Sequence, residues 1–212
     1  MAKLNGCRHL RERRTADKIG QRALLGALLL AAGLWGPAPA HSAAAEGGAD
    51  QAPTEYQVKA AFLYNFARFV EWPPRAFASA SAPIDVCVLG EDPFGEALNR
   101  VLAGKMLGER PMMERRGKKL RELGGCEILF ISGSERERVG EILEELRTAP
   151  VLTVGESEEF AARGGGVQFT LEDNHVHFII NVDATERAGL KVSSRLLSLA
   201  HVVHDDPPRK KG

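Results

Sequence analysis

From position 54 onward the chain alternates between stretches whose apolar residues recur every three or four positions and short continuous apolar runs, the signatures of amphipathic helices and of strands buried on both faces. Thr54-Glu55-Tyr56-Gln57 has the capping-box pattern, in which the threonine hydroxyl accepts the amide three residues on and the glutamine reaches back, so a helix is expected to begin there. Val58, Ala61, Phe62, Asn65, Phe66 and Phe69 follow at helical spacing until Trp72-Pro73-Pro74 stops it. Residues 84–89 (IDVCVL) read as a strand closed by Gly90, and Asp92-Pro93 as an N-cap with proline at the first helical position, opening a helix to about Ala103.

The alternation continues with a weaker strand at 111–115, a helical turn at 118–123, a strong strand at 127–132 and a charged helix at 135–147, whose apolar stripe is Val139, Ile142, Leu143 and Leu146. A fourth strand at 151–154, a short helix at 156–162 and a triple glycine at 164–166 come next. The runs 167–171 and 176–182, separated by Glu172-Asp173-Asn174-His175, predict an antiparallel hairpin at a sheet edge. The last element predicted is a helix capped by Ser193 or Ser194 and apolar at Leu196, Leu197, Leu199, Ala200 and Val203. The pattern therefore predicts an α/β fold, a single three-layer domain over 54–206. Its sheet is mostly parallel, of about six strands with an antiparallel edge hairpin, and helices cover both faces, ahead of a polar tail at 207–212.

Residues 1–45 follow another pattern. Seven basic residues precede an apolar run from Ala23 to Trp35, which at 13 residues is short of the ~20 needed to span a bilayer. Ala38-Pro39-Ala40 and Ala43-Ala44-Ala45 offer small-residue cleavage sites, so this segment reads as a cleaved signal peptide, followed by a flexible lead-in at 46–53. Arg13-Arg14 is a twin-arginine candidate, but Thr15-Ala16-Asp17 is a poor continuation, and general secretion fits better. The whole chain of 212 residues has 28 basic and 28 acidic residues. Cleavage after Ala40 removes seven basic and two acidic ones, leaves 21 against 26, and turns a neutral precursor into a mature chain of net −5. Neither the neutral nor the acidic balance resembles a nucleic-acid binder, which carries a basic stripe. Cleavage also removes Cys7 and leaves Cys87 and Cys126.

Catalytic signals are sparse. The loop from Gly90 through Asp92 to Gly95 lacks the glycine spacing of a dinucleotide loop and any Gly-Lys-Ser/Thr ending, and its two acids would repel phosphate. There is no G-x-S-x-G elbow, and nothing in the sequence assigns a base to Ser132 or Ser134, so a serine hydrolase is not supported, and no cofactor or resident metal is expected. His175 and His177 project from one strand face and His201 and His204 lie three apart, a set with the ligand types for zinc, although solvated histidines at a strand edge and helix end are the plainer reading. If a ligand crevice exists, it lies outside the carboxyl ends of the strands, at Gly90, Asp92, Ser132 and Ser134, which would make the chain a small-molecule binding protein. Cys87 falls on one strand and Cys126 immediately precedes another, and these strands neighbour each other in the common doubly wound order; in an exported chain a disulfide is the better reading, with two small buried hydrophobes as the alternative. Five aromatics between Phe62 and Trp72 read mainly as core, but Arg68, Glu71 and Trp72 lie where a surface would begin.

The run from Tyr64 to Pro73 (YNFARFVEWP), then Val86-Cys87-Val88-Leu89-Gly90 with Asp92-Pro93-Phe94, then Cys126 to Ser132 (CEILFIS), resemble the YfiR family of periplasmic proteins. Phe178-Ile179-Ile180-Asn181 and the run from Ala188 to Ala200 (AGLKVSSRLLSLA) resemble its closing strand and helix, so the likeness spans about residues 55–203. The resemblance implies a periplasmic, non-enzymatic repressor that holds an inner-membrane diguanylate cyclase inactive by binding its periplasmic sensor region, and so controls cyclic di-GMP and biofilm formation. It further implies that an outer-membrane lipoprotein sequesters the repressor, that the protein dimerises, and that Cys87 pairs with Cys126. Some members carry a second cysteine pair in the later half, which this chain lacks. Since Trp, Tyr and Arg anchor interfaces, Tyr64, Arg68, Phe69 and Trp72 are the candidate partner-binding residues.

Overall fold

The computed structural model describes residues 53–205. The export segment at 1–45, all but the last residue of the lead-in and the tail at 207–212 lie outside the described residues.

Helix α1 (Glu55–Phe69) begins as the capping box requires: the Thr54 hydroxyl accepts the Gln57 amide and the Gln57 side chain accepts the Thr54 amide at 2.8 Å. Its buried face is Lys59, Ala60, Leu63, Phe66 and Ala67. Ala61, expected to be apolar and inward, is exposed. The helix ends at Phe69 rather than at the prolines, because Val70–Glu71 (β1) pairs antiparallel with Lys191–Val192 (β9).

Strand β2 (Ile84–Leu89) leads to α2 (Glu96–Leu102), which starts later than Asp92-Pro93 suggested. Asp92 instead accepts the amides of Phe94 (2.8 Å) and Gly95 (3.1 Å), and Gly95 takes a positive φ of 51° before the first helical residue. β3 (Met106–Leu107) turns back onto β4 (Arg110–Gly117), then come β5 (Ile128–Ile131) and α3 (Val139–Glu145). After β6 (Leu152–Gly155), the stretch expected as a short helix at 156–162 is a series of turns that buries Phe160 and holds Glu159 at a φ of 58°. β7 (Val167–Glu172) and β8 (His175–Asn181) form the expected hairpin.

Two features depart from the sequence reading beyond it. Asn181 caps α4 (Val182–Arg187), an unforeseen helix, by accepting the Ala184 amide at 2.9 Å. The last helix is a single turn, α5 (Ser194–Leu197), and His201–Val203 is a strand, β10, paired parallel with β8. Leu199 is 69% and Val202 39% exposed, so no apolar stripe holds a helix there, while β-branched Val202 and Val203 suit the free edge of β8. The hairpin is consequently one strand in from the edge.

The main sheet has eight strands in the order β10-β8-β7-β6-β5-β2-β4-β3, mostly parallel, with β7–β8 and β3–β4 antiparallel. Strand alternation separates two cores. Ile84, Val86, Val88, Ile128 and Phe130 face α1 and α2, whereas Cys87, Leu89, Leu129 and Ile131 face α3. Burial on both faces is why IDVCVL and ILFI read as unbroken apolar runs. On the α1 side Phe66 stacks on Phe169 at 5.8 Å and meets Phe178 edge-on at 5.2 Å, which fixes the helix over the hairpin. On the α3 side Cys87 and Cys126 form a disulfide. The bridge closes a loop 39 residues apart in sequence, and the Cys87→Ala/Cys126→Ala variant is expected to lose about 4 kcal/mol of unfolding free energy in urea, with reduction of the wild type giving the same loss.

Candidate functional site

The four residues expected to bind a partner divide into two groups. Arg68 is exposed near the end of α1, with its guanidinium 5.7 Å from the centres of both the Tyr64 and Phe69 rings. Lys105, which follows α2, brings a second cation to 5.7 Å from the Tyr64 ring. Tyr64 and Phe69 are half-buried, their inner edges packed on the core and their outer edges beside these cations. Lys105 was not foreseen, because only the packing of α2 against α1 brings it there.

Trp72 lies in the other group. Its indole Nε1 donates to the Glu127 carbonyl oxygen at 3.0 Å, so the ring braces the amino end of β5 rather than joining the Arg68 patch through that donor. Glu127 itself is buried, and its Oε2 accepts the Asp85 amide at 2.7 Å. Burial pushes its carboxyl up to about 7, against the lowering effect of that amide hydrogen bond. The strap that follows Trp72 is fastened by Arg110, whose Nη1 donates to the carbonyls of Ser79 (3.0 Å) and Ala82 (2.7 Å) and whose guanidinium lies 3.6 Å over the Phe77 ring.

The candidate crevice residues are engaged locally. Gly90 has a φ of 94°, and a β-carbon there would clash with Ser134 Oγ, so Ser134 fills the gap between the carboxyl ends of β2 and β5. Ser134 Oγ accepts the Glu91 amide at 3.0 Å and Ser132 Oγ accepts the Ser134 amide at 3.4 Å; each hydroxyl thus has a backbone partner. Asp92 turns the other way and accepts Arg116 Nε at 2.8 Å, in the wall of a cavity of about 610 Å³ that also includes Gly90, Lys118 and Glu122. Ser132 and Ser134 are therefore together, Asp92 pairs with Arg116, and Gly90 adjoins both, packing against Ser134 and sharing the cavity wall with Asp92. Arg116 also lies 2.6 Å from Glu114, whose carboxyl burial pushes upward.

A further polar cluster was not foreseen because Glu156 lies about a hundred residues from Glu55, Tyr56 and Lys59. Buried Lys59 lies 2.5 Å from both Glu55 Oε1 and Glu156 Oε2, and Tyr56 donates to Glu156 at 3.2 Å. Burial pulls the lysine pKa down, but the hydrogen bonds and charges of the two glutamates outweigh it and the net shift is upward. A lysine on the apolar face of α1 was the available signal.

The histidines are not gathered at one point. His204 Nδ1 is 2.9 Å from Asp183 Oδ1, whereas His177 and His201 line a separate cleft. Among the described residues no group of three or more His, Cys, Asp or Glu is placed to hold a metal ion, and no helix is long and apolar enough to cross a membrane.

The geometry thus defines a disulfide-bonded three-layer α/β domain, with side chains filling its sheet's switch point and a cationic, aromatic patch at the end of its first helix. The model of the YfiR/HmsC-like family matches residues 56–201, and the chain belongs to that family. Membership implies a periplasmic regulator of diguanylate cyclase signalling, regulatory rather than catalytic, that interacts with a membrane cyclase sensor.

Because the pKa of Glu127 is raised from 4.5 to about 7, the folded state holds that proton more tightly than the unfolded chain does. Its contribution to stability is complete below the ordinary carboxyl range and is lost as pH rises through 7. Between pH 5 and 8 the wild type is expected to lose on the order of 3 kcal/mol more unfolding free energy than Glu127→Gln, measured by urea denaturation at each pH. Parallel profiles for the two proteins would contradict this assignment.

Proposed function

We propose that this chain represses an inner-membrane diguanylate cyclase by binding its periplasmic sensor region through the face formed by Tyr64, Arg68 and Phe69, with Lys105 at its margin. The family match over residues 56–201 carries this reading. The geometry of the face supports it: an exposed guanidinium flanked by two half-buried rings is the composition of an interface anchor. Repression requires the chain to bind the inactive cyclase better than the active one, since equal affinity shifts nothing. A two-state sensor moved from one part in a hundred to ninety-nine requires a difference of about 5.5 kcal/mol, within reach of a few anchors. Trp72 contributes through the strap it braces rather than as a free anchor.

The test separates contact from folding. Arg68→Ala is expected to keep the thermal midpoint and the periplasmic level of the wild type while raising cellular cyclic di-GMP. Trp72→Phe, which loses the indole donor to Glu127, is expected to lower stability by about 1 kcal/mol. Normal repression by Arg68→Ala at normal protein level would remove this face from the site.

A further inference from the structure

Three arginines from separate elements converge away from the Arg68 face. Arg147 follows α3, Arg163 lies in the turns after β6, and Arg187 ends α4; all three line one cavity of about 350 Å³ with Gly140, Gly164 and Asp205. We propose that this cavity binds a phosphate-bearing ligand.

Gly140 leaves room for the Arg163 guanidinium, and Gly164 lies beside that of Arg187 without crowding it. A β-carbon on Gly140 would come within 3.1 Å of Arg163 Nη2, and one on Gly164 within 3.7 Å of Arg187 Nη2. The donors there are incompletely satisfied. Arg163 has no ion-pair partner among the described residues, and Arg187 Nε is buried without a hydrogen-bond acceptor among them. Arg147 pairs with Glu144 at 3.6 Å, but the two side chains are 56% and 74% exposed, so water competes for that pair. Asp205 is the firmer carboxylate, paired with Arg187 and accepting Asn181 Nδ2 at 2.9 Å. Three fixed positive charges thus face two carboxylates, one of them loosely held.

Each guanidinium presents a planar fork of donors that matches the oxygens of a phosphate or carboxylate. A carboxylate has two oxygens and meets at most two such forks, whereas a phosphate monoester offers three terminal oxygens to three arginines. The volume is at the small end for ligand pockets and suits a phosphate carrying a small group. A free phosphorylated metabolite and a phosphatidic acid headgroup, both phosphate monoesters, share that chemistry.

Calorimetric titration of the mature protein with inorganic phosphate and with glycerol phosphate, at matched ionic strength in chloride, tests the site. Flotation with phosphatidylcholine vesicles, with and without phosphatidic acid, tests the headgroup. Binding is expected, and Arg147→Ala and Arg163→Ala are each expected to weaken it about tenfold, the scale of one charge-assisted hydrogen bond. Arg68→Ala should bind as the wild type does. Asp205→Asn, which keeps an acceptor for Asn181 but removes the competing charge, should bind more tightly. Saturable binding of glycerol phosphate identifies a small ligand and recruitment by phosphatidic acid alone identifies a headgroup; either supports the site. Absence of binding to every probe, or arginine variants that bind as the wild type does, would overturn it.

Discussion

The parallel pairing of β2 with β5 is the constraint on which the rest of the molecule depends. Val86 lies opposite Ile128 and Val88 opposite Phe130 on one face, while Cys87 and Leu89 lie beside Leu129 and Ile131 on the other. The chain adds β4 on one side of this pair and β6 on the other, so the pair is also where the sheet's order reverses. Its amino end is fixed covalently by the Cys87–Cys126 bridge and polarly by Glu127, which accepts from Asp85 through its carboxylate and from Trp72 through its carbonyl. Its carboxyl end is filled by Ser134 over Gly90. The central pair of the sheet is thus held at both ends by side chains.

Much of this frame was legible because it is local or periodic. The Thr54 capping box, the two apolar runs and the hairpin each follow from spacing alone, and together they gave the layer order. The failures have physical reasons. The run from Leu196 to Val203 carries helical spacing, yet the free edge of β8 accepts Val202 and Val203 as a strand, a choice made by a partner distant in sequence. β1 and β9 are two-residue strands too short to have a pattern, and they end α1 before its prolines do.

The candidate site was legible as composition but not as arrangement. Tyr64, Arg68 and Phe69 share the end of one helix, so the sequence could place them together. That Trp72 turns inward to Glu127, and that Lys105 joins the patch, depends on how the strap and α2 dock. Likewise Asp92 parts from Ser132 and Ser134 because Arg116 on β4 draws it across the end of the sheet. Sequence proximity and tertiary electrostatics gave different partners: Asp92 pairs with Arg116, while Arg68 and Lys105 lie against aromatic rings.

Family membership makes the chain a YfiR/HmsC-like regulator, and the cationic, aromatic face is the surface through which it is proposed to act. The most direct measurement of that action is cellular cyclic di-GMP in the native host with the chain deleted and then restored to the periplasm. Deletion is expected to raise the level and restoration to return it to the original value. A level unchanged by deletion, in cells that express the protein and hold an intact periplasmic-sensor cyclase, would contradict repression.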